Sequence, residues 1–540
     1  MPSLPTNFGT LDWLIVAVYM TATVGVGLYM NRYIRDMGDY IVAGRSLKSR
    51  LAVATMIGSE LGLVTVMYSA QKGFTGGFAA FHIAVIAGVV TFIVGMTGFI
   101  VVPLRRLGVM TIPEFYEKRF SRGVRIFGGL LLAFAGILNM GLFLKAGALF
   151  VTGLTGLTDP NAVAVVMTVM LALVIAYTIM GGMVSVVITD YIQFVVLSFG
   201  MILTCGMAVY ALGWPTIVET VASVHGESGF NPLLEGSGFG PSYIMWMIFT
   251  AGLVSCAVWQ TSVMRACAAE SVEVVRRLYR WSSIGFLIRF MIPQFLGICA
   301  LTFFFNNPEF RGFFFDETGS PTPDPTMTLQ AMPLFLSQVL PTGIIGLVGA
   351  GLLAAFMSTH DSYLLCWASV LTHDVVAPAT NERLTTRWRL ALSRVFILVI
   401  GLFLLVWGLW YDLGQDLWDY MAVSGAIYFT GAFTLLLAGL YWKRASTVGA
   451  YLALTAGIGA VAGLGPVNQA LGLGMYKSDE IGLAITALAL VLMFAGSLVF
   501  PDRVESQKRS DRVDHLERQA RADSPAITDR LDSPGRKEEA

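Results

Sequence analysis

The chain has 540 residues, of which 56% are hydrophobic and 13% charged, and its mean hydropathy is +0.70. Soluble domains carry about 25% charged residues, so this composition excludes a water-soluble globular protein and predicts a polytopic protein whose partner is the lipid bilayer. The formal net charge is zero, which gives no basic excess for nucleic acid. No soluble stretch reaches the roughly 100 residues of a catalytic domain, so we predict that the protein is not an enzyme.

Apolar runs recur along the chain at the length of a membrane span. A transmembrane helix needs about 20 apolar residues, and this criterion predicts about thirteen spans. They lie near 11–30, 51–72, 78–104, 124–155, 162–180, 187–212, 243–266, 279–305, 340–372, 388–410, 418–441, 447–466 and 480–500. We therefore predict an all-α transmembrane domain at 1–500, followed by a cytoplasmic, disordered tail at 501–540, where mixed charges follow no apolar period.

The charges between the spans predict the orientation. Lys and Arg concentrate in the loops after the first, third and seventh spans, whereas the alternate loops carry mainly Asp and Glu. Cytoplasmic loops are rich in Lys and Arg. The N-terminus is therefore predicted outside and the C-terminus inside, in a multi-pass protein of the cell (plasma or inner) membrane.

Small and hydroxyl-bearing residues form one strip on the ninth span. Ala355, Ser358, Thr359 and Ser362 are three or four residues apart and share a helix face. Hydroxyls and free backbone carbonyls suit a sodium ion, and carbonyls become free where a helix is interrupted. Two glycines in the middle of the second span predict such an interruption, although close packing between helices explains them equally well.

Several motifs lie in a fixed order between about residues 11 and 500. They are Thr111-Ile112-Pro113-Glu114-Phe115, Tyr177-Thr178-Ile179-Met180-Gly181-Gly182 with Thr189-Asp190, Arg265 with Ala268-Ala269, Ala354-Ala355 with Met357-Ser358-Thr359, and Gly439-Leu440-Tyr441-Trp442-Lys443-Arg444. Together they resemble the motifs of the sodium:solute symporter family, which includes sodium-coupled sugar, proline, pantothenate and sialic acid carriers.

The resemblance implies a LeuT-type fold with two inverted five-helix repeats, at 51–212 and 243–441. In this fold the first helix of each repeat is interrupted, and alternating access comes from one bundle rocking against the other. The implied function is secondary active transport, a sodium-coupled symport of a small organic solute by alternating access. A proton-coupled carrier and a transporter-derived solute sensor remain the alternatives, and the sequence predicts no oligomeric state.

The resemblance also implies where cations bind. The sodium site would use the backbone carbonyls of Ala54, Ile57 and Ala355 with the hydroxyls of Ser358 and Thr359. A second cation site in some members would match Asp190, Ser358, Asp361 and Ser362. Two carboxylates near one site could strengthen cation binding or hold one proton between them, so the number of sodium ions and a proton role stay open.

The solute is less constrained. Sugar-carrying members have an acid and an asparagine where this chain has Ala79 and Trp259, which argues against a hexose. A carboxylate-bearing solute could use Arg289 or Lys145 as its counter-charge, whereas Arg289 could instead pair with Glu60 or Asp361 as a gate or scaffold. The predicted pocket residues are Glu60, Tyr68, Gln71, Lys145, Trp259, Gln260 and Arg289, and ordinary packing remains the alternative for each uncharged one.

Overall fold

A computed structural model of the protein describes residues 5–30, 47–159, 161–234, 238–412 and 414–502, with only the backbone at 24, 26–30, 177, 180–190, 192 and 194. Within these ranges the regular structure is helical and no β-strand is formed. The tail predicted at 501–540 lies outside the described residues except for its first two.

The described residues of the first half form ten α-helices. They are α1 (Thr10–Met30), α2 (Ser49–Glu60), α3 (Leu63–Gly76), α4 (Phe81–Thr97), α5 (Val101–Arg106), α6 (Ile112–Arg119), α7 (Arg122–Asn139), α8 (Phe143–Thr155), α9 (Ala162–Leu212) and α10 (Trp214–His225). Short 3₁₀ turns lie at Gly77–Ala80, Met140–Leu142 and Gly226–Gly229.

The second half forms the remaining helices. They are α11 (Pro241–Met247), α12 (Gln260–Ala268), α13 (Val272–Asn306), α14 (Pro308–Phe314), α15 (Pro325–Val339), α16 (Ile344–Val370), α17 (Ala377–Ala379), α18 (Thr386–Trp410), α19 (Leu417–Tyr441), α20 (Thr447–Ile458), α21 (Gly465–Ala470) and α22 (Ser478–Val499). Ile248–Val258 and Leu371–Val376 are π-helical, and Gly459–Gly463 is a 3₁₀ turn.

The lengths of these helices suit a membrane. Nine helical stretches of the described chain are long and apolar enough to cross a bilayer. Shorter apolar helices lie at Thr10–Thr23, Ala162–Ala176 and Thr447–Gly463. The polytopic all-α prediction is supported, whereas the count of about thirteen spans and the orientation of the termini stay predictions.

One boundary differs from the sequence prediction. The spans predicted at 162–180 and 187–212 form a single helical segment, α9, of 51 residues. Its first half packs against α18 and its second half against α16. The sequence analysis separated two spans here, whereas the helix continues through Gly181 and Gly182, because glycine permits a departure from helical geometry without requiring one.

Two helices are interrupted inside the apolar bundle. α2 ends at Glu60 and α3 begins at Leu63, because Leu61 (φ −91°, ψ 63°) and Gly62 leave helical geometry. In the second half, α11 continues as a π-helix until Trp259 (φ −72°, ψ 126°) extends the backbone before α12. The interruption predicted in the second span is confirmed.

A buried carboxylate joins α1 to the start of α16. Asp12 is fully buried, and its Oδ1 accepts hydrogen bonds from the backbone N–H groups of Gly343 at 2.7 Å and Gly346 at 2.9 Å. The first turn of a helix leaves such donors without intrahelical partners, and its dipole favours a negative charge there. This contact fixes α1 against the helix that carries the hydroxyl strip.

Helices α3 and α13 pack with their backbones in direct contact. A Cβ atom on Gly73 would lie 1.9 Å from the carbonyl oxygen of Gln294, and one on Gly297 would lie 1.9 Å from that of Ala70. Only glycine fits at these two positions, because backbone atoms cannot move aside as a flexible side chain can. The two helices are therefore held as one unit.

We expect Gly297→Ala to lower the free energy of unfolding by about 1–3 kcal/mol, because the added methyl group forces α3 and α13 apart. Thermal unfolding of the purified protein in detergent measures the change. Gly206→Ala in α9 is the matched control, since a Cβ atom there meets nothing within 4 Å. Equal melting temperatures for the two variants would contradict the packing argument.

Candidate functional site

A small cavity of about 90 Å³ lies between the two interrupted helices. Its wall includes four of the predicted pocket residues, Glu60, Tyr68, Trp259 and Arg289. Glu60 lies at the first interruption and Trp259 at the second, so both side chains reach the same cavity. The cavity is therefore the candidate solute site.

The ion pair between Glu60 and Arg289 forms one side of this cavity. Arg289 Nη1 donates to Glu60 Oε2 at 2.7 Å and to the Glu60 backbone carbonyl at 3.2 Å. Glu60 Oε1 accepts hydrogen bonds from Thr261 at 3.2 Å and Ser262 at 3.1 Å, both in α12. Both charged side chains are buried. The pairing alternative for Arg289 is thus what the structure shows.

The guanidinium of Arg289 nevertheless keeps donor capacity. It lies between the rings of Phe286 and Phe290, with its central carbon 4.0 Å and 4.4 Å from their centres. Its Nε is buried and donates to no residue that the structure describes. An arginine offers five N–H donors in a planar fork, so Glu60 occupies only part of this one.

Aromatic and amide side chains that the sequence analysis missed complete the wall. Trp259 Nε1 donates to the hydroxyl of Tyr363 at 2.9 Å, and the Tyr68 and Trp418 rings meet edge to face at 4.7 Å between centres. Asn139 from α7 also lines the cavity. The only sequence signal for Tyr363 and Trp418 was aromatic content, which packing in an apolar helix explains equally well.

Two predicted pocket residues lie elsewhere. Gln71 lies about two turns beyond the interruption, and its Nε2 donates to Thr328 Oγ1 at 2.9 Å. The 3₁₀ turn before α8 changes the face of the helix on which Lys145 lies. Its ammonium group donates to the Tyr411 carbonyl at 2.7 Å. Neither side chain lines the cavity, and the counter-charge role of Lys145 stays a prediction without support from its position.

Gln260 is also outside the cavity. It follows the extended residue Trp259, which turns the next side chain toward the opposite end of the bundle. Its Oε1 accepts a hydrogen bond from the backbone N–H of Ile112 at 3.0 Å. Its role is to hold α12 against the start of α6.

The hydroxyl strip of α16 contacts the first interruption. Thr359 Oγ1 lies 2.9 Å from the carbonyl oxygen of Ala355 and 3.5 Å from that of Ser59. A Cβ atom on Gly62 would lie 2.0 Å from Thr359 Oγ1. Glycine is therefore required at position 62 for α16 to approach the end of α2. Ser358 is fully buried on the same helix.

The two predicted carbonyl ligands in α2 differ in position. The Ile57 carbonyl lies in the last turn, where it accepts the Leu61 N–H at 2.8 Å and keeps a second lone pair. Ala54 lies almost one turn earlier, inside the helix. The sodium ligands Ala54, Ile57, Ala355, Ser358 and Thr359 stay a prediction, supported by the contact between α16 and the interruption.

The second cation site also stays a prediction. Ser358, Asp361 and Ser362 are buried on α16, whereas the side chain of Asp190 on α9 lies outside the described part of the structure. The guanidinium of Arg265 donates to Ser362 Oγ at 3.1 Å and also to Ser59 Oγ. A resident positive charge thus already contacts one of the proposed ligands.

Comparison with known proteins decides the family. The sequence model of the sodium:solute symporter family matches residues 40–457. The chain belongs to the sodium:solute symporter family. Its members are transporters rather than enzymes; this symporter is a multi-pass protein of the cell membrane, and sodium is its coupling ion.

The symporter is similar to several characterised carriers. A sodium/sialic acid symporter, NanT, from Aliivibrio fischeri is 24% identical over 94% of this chain and 96% of its own length. A sodium/glucose cotransporter from Vibrio parahaemolyticus is 25% identical over 85% of this chain and 86% of its own. A solved Na⁺-coupled sialic acid symporter, in a substrate-bound outward-open state, superposes with a TM-score of 0.76 at 20% identity, covering 92% of this chain and 100% of that one. The last likeness shows a shared fold.

The symporter carries an ionic bridge at the end of the bundle that the charge pattern assigns to the outside. Lys72 of α3 is buried and lies 2.9 Å from Asp416 and 2.8 Å from Asp419 at the start of α19. The Leu417 N–H also donates to Gln71 Oε1 at 3.1 Å. These contacts join α3 to α19 above the cavity. The sequence analysis missed Lys72 because it ends a predicted span.

The opposite end is joined by a second polar network. Thr111 Oγ1 donates to Asp374 Oδ1 at 2.9 Å, and Arg125 Nε donates to the same oxygen at 3.0 Å. Beside them, burial raises the pKa of Glu114, but the neighbouring His373, the charge of Lys118 and a hydrogen bond from the Met110 backbone N–H outweigh it and bring that pKa to about 2. This carboxylate therefore stays charged throughout the physiological pH range.

A larger crevice of about 730 Å³ runs beside α2, between α9 and α13. Its lining is mostly apolar, and Trp281 and Ile202 at its rim are each 64% exposed. Arg289 reaches its wall from the cavity side. Exposed rings and aliphatic side chains are typical of a surface that contacts lipid acyl chains rather than a polar solute.

A double-mutant cycle tests whether Glu60 and Arg289 act as a pair. Glu60→Gln and Arg289→Gln should each cost about 3–5 kcal/mol, because each leaves a buried charge without its partner. The double variant should lose much less than the sum of the two. Thermal unfolding in detergent measures all three, and additive losses would show that the side chains do not stabilise each other.

Proposed function

We propose that this symporter carries a small organic solute other than a hexose, together with sodium, by alternating access. The observation that carries the proposal is the cavity at the meeting point of two interrupted helices, with the hydroxyl strip of α16 against one interruption. Interrupted helices free the backbone groups that bind ions and solutes in such carriers.

The two interruptions also support the proposed division into repeats. One interrupted helix, α2 with α3, opens the segment 51–212, and the other, α11 to α12, opens the segment 243–441. We assign these segments to the two inverted repeats. The solute would then bind where the repeats meet, and their relative movement would expose the cavity to each side in turn.

The size of the cavity supports a moving structure. A volume of about 90 Å³ holds about three water molecules at about 30 Å³ each. Ligand pockets usually measure about 300–1,000 Å³. The helices around the cavity must therefore separate to admit an organic solute, and the ionic bridge at Lys72 is a contact that has to break for access from the outside.

The lining favours a carboxylate-bearing solute over a hexose. The Trp259 ring occupies the wall and its only N–H is used by Tyr363, so it offers an apolar face where a sugar needs donors and acceptors. Arg289 lines the same wall with a buried Nε that no described residue accepts. Bidentate contact with a carboxylate would satisfy this donor.

Thermal stability of the purified protein tests the proposal. Melting temperatures are compared in sodium, potassium and choline chloride at equal ionic strength, with a panel of carboxylates, sugars and neutral solutes in each salt. We expect a sodium-specific rise that one carboxylate increases further, since a ligand at 100 times its Kd adds about 2.7 kcal/mol. A rise that follows pH instead of sodium would favour a proton-coupled carrier.

Sodium binding at the hydroxyl strip makes a separate prediction. Ser358→Ala combined with Thr359→Ala should weaken the sodium-specific stabilisation without unfolding the protein, because small side chains replace small ones on a packed face. Ser369→Ala, a fully buried serine on the same helix, is the control and should keep the wild-type response. A sodium titration unchanged in the double variant would refute the site.

A further inference from the structure

A second polar cavity, of about 250 Å³, lies beside the ionic bridge at Lys72. Its lining includes Asp419 of α19, Tyr243 of α11 and the segment from Lys477 to Asp479 at the start of α22. We propose that this cavity is an outer binding site for a hydrated sodium ion, and that sodium there competes with Lys72 for Asp419. The ion's identity rests on the proposed function, whereas the site rests on the observations below.

The first observation is a buried carboxylate that lacks a donor. Asp479 is only 6% exposed, and its Oδ2 accepts no hydrogen bond from any residue that the structure describes. Its place in the first turn of α22 explains why a negative charge is tolerated there. It does not supply a partner for the oxygen, and buried charged groups are normally paired or hydrogen-bonded.

The second observation is the balance of charge around the cavity. Among the described residues that line the cavity, Asp419 and Asp479 carry carboxylates and Lys477 carries the ammonium group, while Lys72 contacts Asp419 from outside the lining. The lining itself therefore has one more negative than positive charge, which suits one monovalent cation. A space of about 250 Å³ holds about eight waters, so an ion could enter with most of its hydration shell.

The third observation connects the cavity to the bridge. Asp419 Oδ2 lies 2.8 Å from Lys72 Nζ, and its Oδ1 accepts the Tyr243 hydroxyl at 3.3 Å. Asp416 contacts the same ammonium at 2.9 Å. When sodium attracts Asp419, Lys72 therefore keeps one carboxylate partner. The contact between α3 and α19 weakens without leaving a buried lysine unpaired, and this weakening favours opening on that side.

The test uses sodium alone on the purified Ser358→Ala/Thr359→Ala protein, in which the central sodium site is disabled. Sodium chloride replaces choline chloride at constant ionic strength while the melting temperature is followed. We expect a residual sodium-specific rise. Adding Asp479→Asn should increase the half-maximal sodium concentration by about two- to fivefold, which is the effect expected from the loss of one partly screened charge.

A variant that is expected to strengthen sodium binding distinguishes a change in affinity from misfolding. Lys477→Gln removes a positive charge from the same cavity and should lower the half-maximal sodium concentration by a similar factor. Asp412→Asn, an exposed carboxylate outside the cavity, is the control and should change nothing. Identical sodium curves for Asp479→Asn, Lys477→Gln and the control would overturn the site, whether or not solute uptake proves to depend on sodium.

The effect on the bridge has its own readout. Ser255→Cys places a thiol in the solute cavity, and a membrane-impermeant maleimide reports access from outside, with the parent protein and its native cysteines as background. Sodium should accelerate the labelling, and Asp479→Asn should remove the acceleration at low sodium. Equal acceleration in both proteins would show that the cavity does not influence the bridge.

Discussion

The pairing of Glu60 with Arg289 holds the centre of the molecule together. Glu60 is the last residue of α2, and its carboxylate and carbonyl both contact Arg289 of α13, while hydroxyls from the first turn of α12 contact the second carboxylate oxygen. The ends of both interrupted helices therefore meet on one buried carboxylate. Separation of the two interruptions would leave this carboxylate without some of its partners, which is costly for a buried charge.

Two further polar contacts lie above and below this pair. Lys72 joins α3 to α19 at one end, and Asp374 joins the start of α6 to α7 at the other. Each contact links helices that border the route to the cavity. A carrier that binds its solute at the centre needs such contacts to form and break alternately, and their charged character makes them sensitive to ions that arrive at each side.

Features with a strong physical signature could be predicted from the sequence. The apolar composition predicted a polytopic membrane protein, and two glycines four residues apart, Gly58 and Gly62, marked the interruption that Leu61 and Gly62 form. The buried charges Glu60 and Arg289 were recognisable because charge inside an apolar span needs a partner. Pattern alone could not give Tyr363 or Trp418, because an aromatic ring in such a helix packs by default. The sequence pattern also predicted Lys145 and Gln260 as pocket residues, but neither lines the central cavity. A 3₁₀ turn precedes the helix of Lys145 and an extended residue precedes Gln260, and both change the direction of the side chain.

The two halves of the first interrupted helix differ in freedom of movement. α3 contacts α13 backbone to backbone at Gly73 and Gly297. α2 also lies beside α13, but an apolar crevice of about 730 Å³ borders both helices there. α3 is thus held against α13, whereas α2 has empty volume beside it that apolar chains can enter. A tilt of α2 toward this crevice would change the volume that is open to lipid chains, so the chain order of the surrounding bilayer would bear on that movement.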